Sequence, residues 1–199
     1  MLGWARMCYS NGLLKYLNYL EKASDRMFIP RIDREDGLAL YTLVSMLVEN
    51  KRSFTAVDAG AGVGYSTLWI VASLDALCVK GVVYAVERNR GRYEVLKRNF
   101  ENVKSKCVEV KLVNQDALDF IKAFGDGEID FVFVDIDKHA YRQFFNEAVK
   151  KVRPRGAIAF HNAYVDEVAK SFKDVMSGES GFVATIIPTQ EGILLVRIP

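Results

Sequence analysis

Val57-Asp58-Ala59-Gly60-Ala61-Gly62-Val63-Gly64-Tyr65-Ser66-Thr67-Leu68 decides how this chain is read. An apolar, β-branched run from Phe54 to Val57 leads into the stretch, and an apolar-periodic segment from Ser66 to Leu77 follows it. The pattern predicts strand, glycine turn, helix. Glycine has no Cβ, so such a turn lets backbone N–H groups and a helix N-terminus approach a ligand closely. In a dinucleotide-binding turn the third glycine comes three places after the second. Here Gly64 follows Gly62 by two, and Asp58 stands two before Gly60. A carboxylate in that place repels a pyrophosphate and suits a cationic ammonium.

That charge preference points to S-adenosyl-L-methionine (SAM), which carries an ammonium and a positive sulfonium. The turn alone also describes a strand-to-helix connection that binds nothing. The rest of the chain has to decide.

With 199 residues, 50% of them hydrophobic and 26% charged, the sequence suits a single globular domain with a sizeable core. A net charge of +2 and a pI of about 8.3 fall short of a dedicated nucleic-acid-binding domain. No apolar run is long enough for a membrane span, and Lys15 interrupts the run from Leu13 to Leu20, so neither a membrane anchor nor a secretory leader is expected. Cys8, Cys78 and Cys107 are odd in number, widely spaced and free of any CxxC pair. They are expected as free thiols in a reducing cytoplasm, without a disulfide framework or zinc site. His139 and His161 are the only histidines, which argues against a His-rich metal centre.

Residues 1–50 read as a helical cap and residues 51–199 as an α/β core, with no linker or repeat between them. Asn11 can cap a first helix carrying Leu13, Leu14, Leu17 and Leu20; a second starts near Arg34 and runs through Leu47. Strands are predicted at Thr55–Ala59, Val82–Glu87, Val108–Val113, Ile129–Asp135 and Ala157–His161. Helices are predicted at Ser66–Leu77, Arg90–Phe100, Ala117–Phe124, Ala140–Val149 and about Asp166–Met176. Near-continuous apolar strands alternating with helices imply a doubly wound, mostly parallel sheet. Phe182–Ile187 and Ile193–Ile198 are joined by too short a loop for a parallel return, so they form a C-terminal antiparallel hairpin.

Ligands of open α/β sheets bind beyond the carboxyl ends of the strands. The predicted strand ends carry Asp58, Glu87, Asn114-Gln115-Asp116-Ala117, Asp135-Ile136-Asp137-Lys138 and His161-Asn162. Glu87 is placed for ribose hydroxyls. Asp116 is placed for an adenine amino group, or simply as a helix cap.

Together these pieces resemble the cation-dependent O-methyltransferase family, which includes catechol and caffeoyl-coenzyme A O-methyltransferases. The matching segments are Asp58–Leu68, Val83–Glu87, Gln115-Asp116-Ala117, Phe133–Tyr141, Asn162 and Gly192–Leu195. The Asp-x-Asp-Lys-x-x-Tyr motif from Asp135 to Tyr141 is the most specific of them. The resemblance implies a seven-stranded, Rossmann-like methyltransferase fold. It implies SAM bound by Asp58, Gly60, Gly62, Gly64, Ser66, Glu87, Arg88, Asp116, Ala117 and Asp135. It further implies a divalent cation at Asp135, His161 and Asn162 that lowers the pKa of neighbouring substrate hydroxyls. Lys138 then takes the proton, with Asp135 and Lys138 as the catalytic pair. Ile32 and Asp36 fall in the segment that covers the methyl donor. The implied acceptor is a small, hydroxylated, catechol-like aromatic, and a homodimer follows by analogy.

The sequence departs from the family at three points. His161-Asn162 replaces an Asp-Asn pair. Imidazole in place of a carboxylate disfavours magnesium and favours a transition metal, or else ends ligation altogether. The chain is shorter than relatives that enclose small phenols, so a more open pocket is expected. Arg153-Pro154-Arg155-Gly156, with Lys150 and Lys151, forms a basic run read as a solvated face. Arg26, Arg31 and Arg34 interleave with aromatics, which suits either snorkelling side chains or an RNA base as methyl acceptor. A SAM-binding protein without catalysis is the non-enzyme alternative.

Overall fold

The computed structural model describes residues 11–49 and 51–199, with Asn11 by its backbone alone. Cys8 and the capping side chain of Asn11 therefore lie outside the described residues. Seven strands form one sheet: β1 (Ser53–Ala59), β2 (Lys80–Val86), β3 (Val108–Val113), β4 (Ile129–Val134), β5 (Val152–Phe160), β6 (Val183–Ile187) and β7 (Ile193–Arg197). Their spatial order is β3-β2-β1-β4-β5-β7-β6. The first five are mutually parallel, and β7 runs antiparallel between β5 and β6. The mostly parallel sheet with its closing hairpin is as expected.

All six residues of β4 are buried, because helices cover both faces of the sheet. One face carries α3 (Tyr65–Ala76), whose residues from Tyr65 to Leu74 are all buried. The sheet lies on one side of this helix; α1 (Asn11–Met27) and α2 (Arg34–Leu47) pack on the other. A helix enclosed on every side needs no polar face, and α3 has almost none. Gly37 of α2 lies directly on the Trp69 indole, where a Cβ would collide with the ring. An ion-pair and hydrogen-bond cluster ties the three helices: Arg34 Nη2 and Tyr65 Oη each donate to Glu21 Oε1, both at 2.7 Å.

The sequence expectation failed in four places. The single helix predicted at Asp166–Met176 is two, α7 (Asp166–Ser171) and α8 (Lys173–Met176). The break falls at Phe172, whose fully buried ring packs 4.8 Å from Phe160 and 5.4 Å from Phe145. The helix predicted at Ala140–Val149 is preceded by a 3-10 turn, Lys138–Ala140, and runs as α6 (Tyr141–Lys151). Strand β5 starts at Val152, so Arg153 to Gly156 of the basic run belong to the sheet while Lys150 and Lys151 end α6, and the register beside Ile129 and Phe131 is irregular. Part of that run is fixed in place: Arg153 reaches the fully buried Asp130 at 3.3 Å, and Lys151 pairs with Asp126 at 2.9 Å.

The fourth failure concerns the cysteines. Cys78 and Cys107, expected as free thiols, are joined in a disulfide. Parallel pairing of β2 with β3 and the bond from Gly81 N to Cys107 O bring the two Cα atoms to 5.4 Å. That is a bridgeable distance created by the sheet, which 29 residues of sequence separation conceal. Among the described residues, no helix is long and apolar enough to cross a membrane.

Candidate active site

Strand order reverses between β1 and β4, and such a switch point opens a crevice at the carboxyl ends of the strands. A cleft of about 520 Å³ lies there, within the range of small-molecule sites. Pro30, Gly62, Glu87, Asp116, Asp135 and Lys138 are among the residues lining it. Gly60, Arg88 and Ala117 line it too, whereas Asp58, Gly64 and Ser66 are not among its lining residues.

The three turn glycines all have positive φ, at 96°, 54° and 91° in order. Their surroundings divide their roles. A Cβ on Gly60 would strike the carbonyl of Asp135, and one on Gly64 would strike the Phe100 ring. A Cβ on Gly62 would meet nothing nearer than the Pro30 carbonyl at 3.5 Å. Gly60 and Gly64 are therefore demanded by packing as well as by backbone conformation, while Gly62 leaves free space at the cleft. The buried Asn99 on α4 (Arg90–Phe100) fixes the turn by donating to the Val63 carbonyl at 2.9 Å. Nothing local in the sequence marks this asparagine, which sits on a charged helix.

Two carboxylates flank the turn. Glu87 accepts from the Gly62 amide at 3.1 Å and the Asn89 amide at 2.7 Å, and Asn114 Nδ2 donates to its carbonyl at 2.8 Å. It is thus held rigidly at the end of β2. Asp58 is fully buried. Its Oδ2 accepts from Ser66 Oγ at 2.8 Å and from Thr67, while Oδ1 has no hydrogen-bond partner among the described residues. Burial pushes its pKa up to about 7, the hydroxyls of Thr67 and Ser66 pull against this, and the charges of Asp135 and Glu87 add to the rise. A buried carboxylate oxygen without a partner fits a cationic ligand group. Asp116 caps α5 (Ala117–Lys122) by accepting from Leu118 N at 2.8 Å and also borders the cleft, so capping and ligand contact are compatible.

Beyond β4, Lys138 Nζ donates to Asp135 Oδ1 at 2.7 Å, to Tyr141 Oη at 3.0 Å and to the Ile136 carbonyl at 3.3 Å. Tyr141 Oη in turn donates to the Val134 carbonyl at 3.2 Å. His161 lies between two acids: Nε2 is 3.1 Å from Asp36 Oδ2, and Nδ1 is 3.6 Å from Asp135 Oδ1. Burial disfavours a charged imidazole, but the facing carboxylates of Asp135 and Asp36 outweigh it and raise the pKa to about 9. Burial likewise pushes both acids up, yet the cations beside them hold each below the usual carboxylate value. Asp36 is completely buried near the start of α2, where it also accepts from the Asp33 amide at 3.0 Å. The helical cap thus reaches the site through Asp36 and through the Phe28–Asp33 link, which runs past Gly62.

The expected metal donors are not assembled for an ion. Both ring nitrogens of His161 face carboxylates, and Asp135 Oδ1 already holds Lys138. Asn162, at a left-handed φ of 56°, turns its amide nitrogen to Glu191 Oε2 at 3.3 Å. Among the described residues, no group of three or more His, Cys, Asp or Glu side chains is arranged to hold a metal. The donor set does not fit a divalent cation. Asp137 is no substitute, because it pairs with Arg88 at 2.6 Å on the cleft rim. Of the arginines considered for RNA, Arg34 is taken up by Glu21 and Asn18, and Arg31 lies over the Tyr65 ring.

This site geometry can be set beside known proteins. A family model described as "Methyltransferase domain" matches residues 57–163, more than half of the chain. The chain belongs to this methyltransferase-domain family. The match runs from the glycine turn through Asp135 and Lys138 to His161 and Asn162. A protein named as an O-methyltransferase from Mycobacterium sp. (strain JLS) is 27% identical over 125 residues, covering 63% of this chain and 56% of that protein. Caffeoyl-CoA O-methyltransferase of Populus kitakamiensis is 28% identical over 151 residues, covering 72% of this chain and 62% of that enzyme. The aligned part of this methyltransferase domain thus spans little more than half the length of those relatives. The structure of an O-methyltransferase from Bacillus cereus in complex with SAH superposes with a TM-score of 0.73 at 22% identity, covering 93% of this chain and 91% of that one. At that identity the likeness establishes the methyltransferase fold.

Proposed function

We propose that the protein is a SAM-dependent O-methyltransferase acting on a small, hydroxylated, aromatic acceptor. The observation that carries this reading is the cleft in which an open glycine, an anchored glutamate and a lysine–aspartate pair face one volume. Its support is twofold. The methyltransferase-domain family model spans these residues and relatives named as O-methyltransferases match this chain, while the Bacillus cereus protein of the same fold was solved with SAH.

SAM would be held by Asp58 and the free face of Gly62 at its amino-acid end, by Glu87 at the ribose, and by Asp116 with Ala117 at the adenine. When bound, it supplies an electrophilic methyl group on positive sulfur, which leaves as the neutral thioether. The residues of this chain do the rest. The cleft holds the acceptor oxygen in line with that methyl, and orientation of this kind contributes much of the rate. Lys138 Nζ, as the neutral amine, takes the proton of the acceptor hydroxyl, and its 2.7 Å hydrogen bond to the ionised Asp135 holds the resulting ammonium. The oxygen lone pair is thereby free to form the new C–O bond. Tyr141, bonded to both Lys138 and the Val134 carbonyl, keeps the amine in position.

The test pairs binding with turnover. Calorimetry should show SAM binding to the wild-type protein, abolished in Glu87→Ala. Labelled SAM should transfer its methyl to catechol and not to bulk RNA. Label entering RNA alone would replace the acceptor, and absence of SAM binding would end the proposal.

A further inference from the structure

We infer that this methyltransferase works without a divalent cation, and that His161 is a positioning residue clamping the roof helix α2 to the catalytic pair. The inference rests on the proposed O-methyl transfer and extends it to the way the acceptor site is built.

The geometry forms a continuous chain. Asp36 on α2 hydrogen-bonds His161 Nε2 at 3.1 Å, Asp135 Oδ1 holds Lys138 at 2.7 Å, and His161 Nδ1 closes on that oxygen at 3.6 Å as a charge contact, with no hydrogen bond among the described residues. A cation entering beside Asp135 would have to displace Lys138 and pull the imidazole from Asp36. Asp36 would then remain as a fully buried carboxylate without its partner, a costly arrangement. Asn162 is engaged with Glu191. The place that an Asp-Asn pair would give to an ion is thus filled by side chains with cationic hydrogen-bond donors of their own. His161 spans 125 residues of sequence to join the end of β5 to the start of α2. It therefore fixes the acceptor wall and the roof relative to each other, and through Asp135 it sets the direction of Lys138.

Replacing the histidine by the acid restores the paired oxygen donors a hard ion prefers. The experiment titrates Mn²⁺ and Co²⁺ calorimetrically into the wild-type protein, His161→Asp and Asp135→Asn. It also measures SAM affinity and methyl transfer to catechol before and after EDTA. Wild type is expected to take up no stoichiometric ion and to lose no turnover to EDTA. His161→Asp is expected to bind Mn²⁺ on the order of tenfold or more tightly than wild type. One equivalent of either ion bound by wild type and lost in Asp135→Asn would overturn the inference, as would EDTA-sensitive turnover restored by added metal. If His161→Asp does not fold, the wild-type titration still decides. SAM binding is read in the same samples, so failure of the methyl-donor assignment shows separately from failure of the metal-free site.

Discussion

If Asp58 receives the cationic end of SAM, affinity for SAM must depend on pH through this one residue. Burial raises its pKa to about 7, and one of its oxygens has no hydrogen-bond partner among the described residues. A cation placed there favours the carboxylate over the acid. Binding then requires the charged form, and the observed affinity scales with the charged fraction. For a pKa of about 7, that fraction is about three-quarters at pH 7.5 and about 3% at pH 5.5. Kd should rise about 25-fold between the two, which corresponds to about 2 kcal/mol. An amino-acid ammonium stays largely protonated across this window, so the ligand adds little titration of its own. The assay is isothermal calorimetry at pH 5.5, 6.5 and 7.5 in buffers of differing ionisation enthalpy. Proton release on binding should rise from about a quarter of a proton at pH 7.5 to nearly one at pH 5.5. Asp58→Asn keeps the shape, removes the charge, and should give weaker binding that no longer varies with pH. A wild-type Kd constant within twofold over this range would refute the reasoning.

Other perturbations separate the remaining parts. Lys138→Ala should leave the SAM Kd unchanged and lower kcat by about 10²- to 10⁴-fold, since it removes proton transfer and not the donor site; equal loss of SAM binding would count against its assigned role. The folded pKa of His161, about 9, exceeds its ordinary 6.5, so its stabilising contribution is complete below pH 6.5 and disappears as pH rises through 9. Urea melts at pH 6 and 9.5 should show a loss of stability about 3 kcal/mol larger in wild type than in His161→Gln, since other groups such as Asp58 titrate alike in both. Cys78→Ser opens a covalent loop set by a separation of 29 residues and should cost about 3 to 4 kcal/mol under non-reducing conditions. Alkylation and mass spectrometry of the unreduced wild-type protein should find Cys78 and Cys107 blocked.

Much of the architecture was legible because its determinants are local. The apolar runs became strands and the glycine turn sits where its spacing put it. Helix α4 spans Arg90–Phe100 as its pattern and the Asn89 cap require. The expectation broke wherever a distant partner overrode local preference. Phe172 leaves helical geometry to bury its ring against Phe160. Val152 joins β5 because β4 is beside it. Cys78 meets Cys107 because β2 pairs with β3.

In the site, the sequence by itself determined the residue types. Asp58, Glu87, Asp135 and Lys138 were identifiable because each stands at or just beyond the end of a strand that an apolar run marks. The sequence also showed that His161 stands where a carboxylate was expected. Only the tertiary structure decided what that histidine does. Its partner Asp36 lies 125 residues away on α2, and the pairing exists because α2 packs on α3 while β5 runs beside β4. Local sequence constrains neighbours through backbone geometry and hydrophobic periodicity. A buried charge takes whatever partner the completed fold brings within about 3 to 4 Å, and the expected metal ligand thereby became a bridge between two acids.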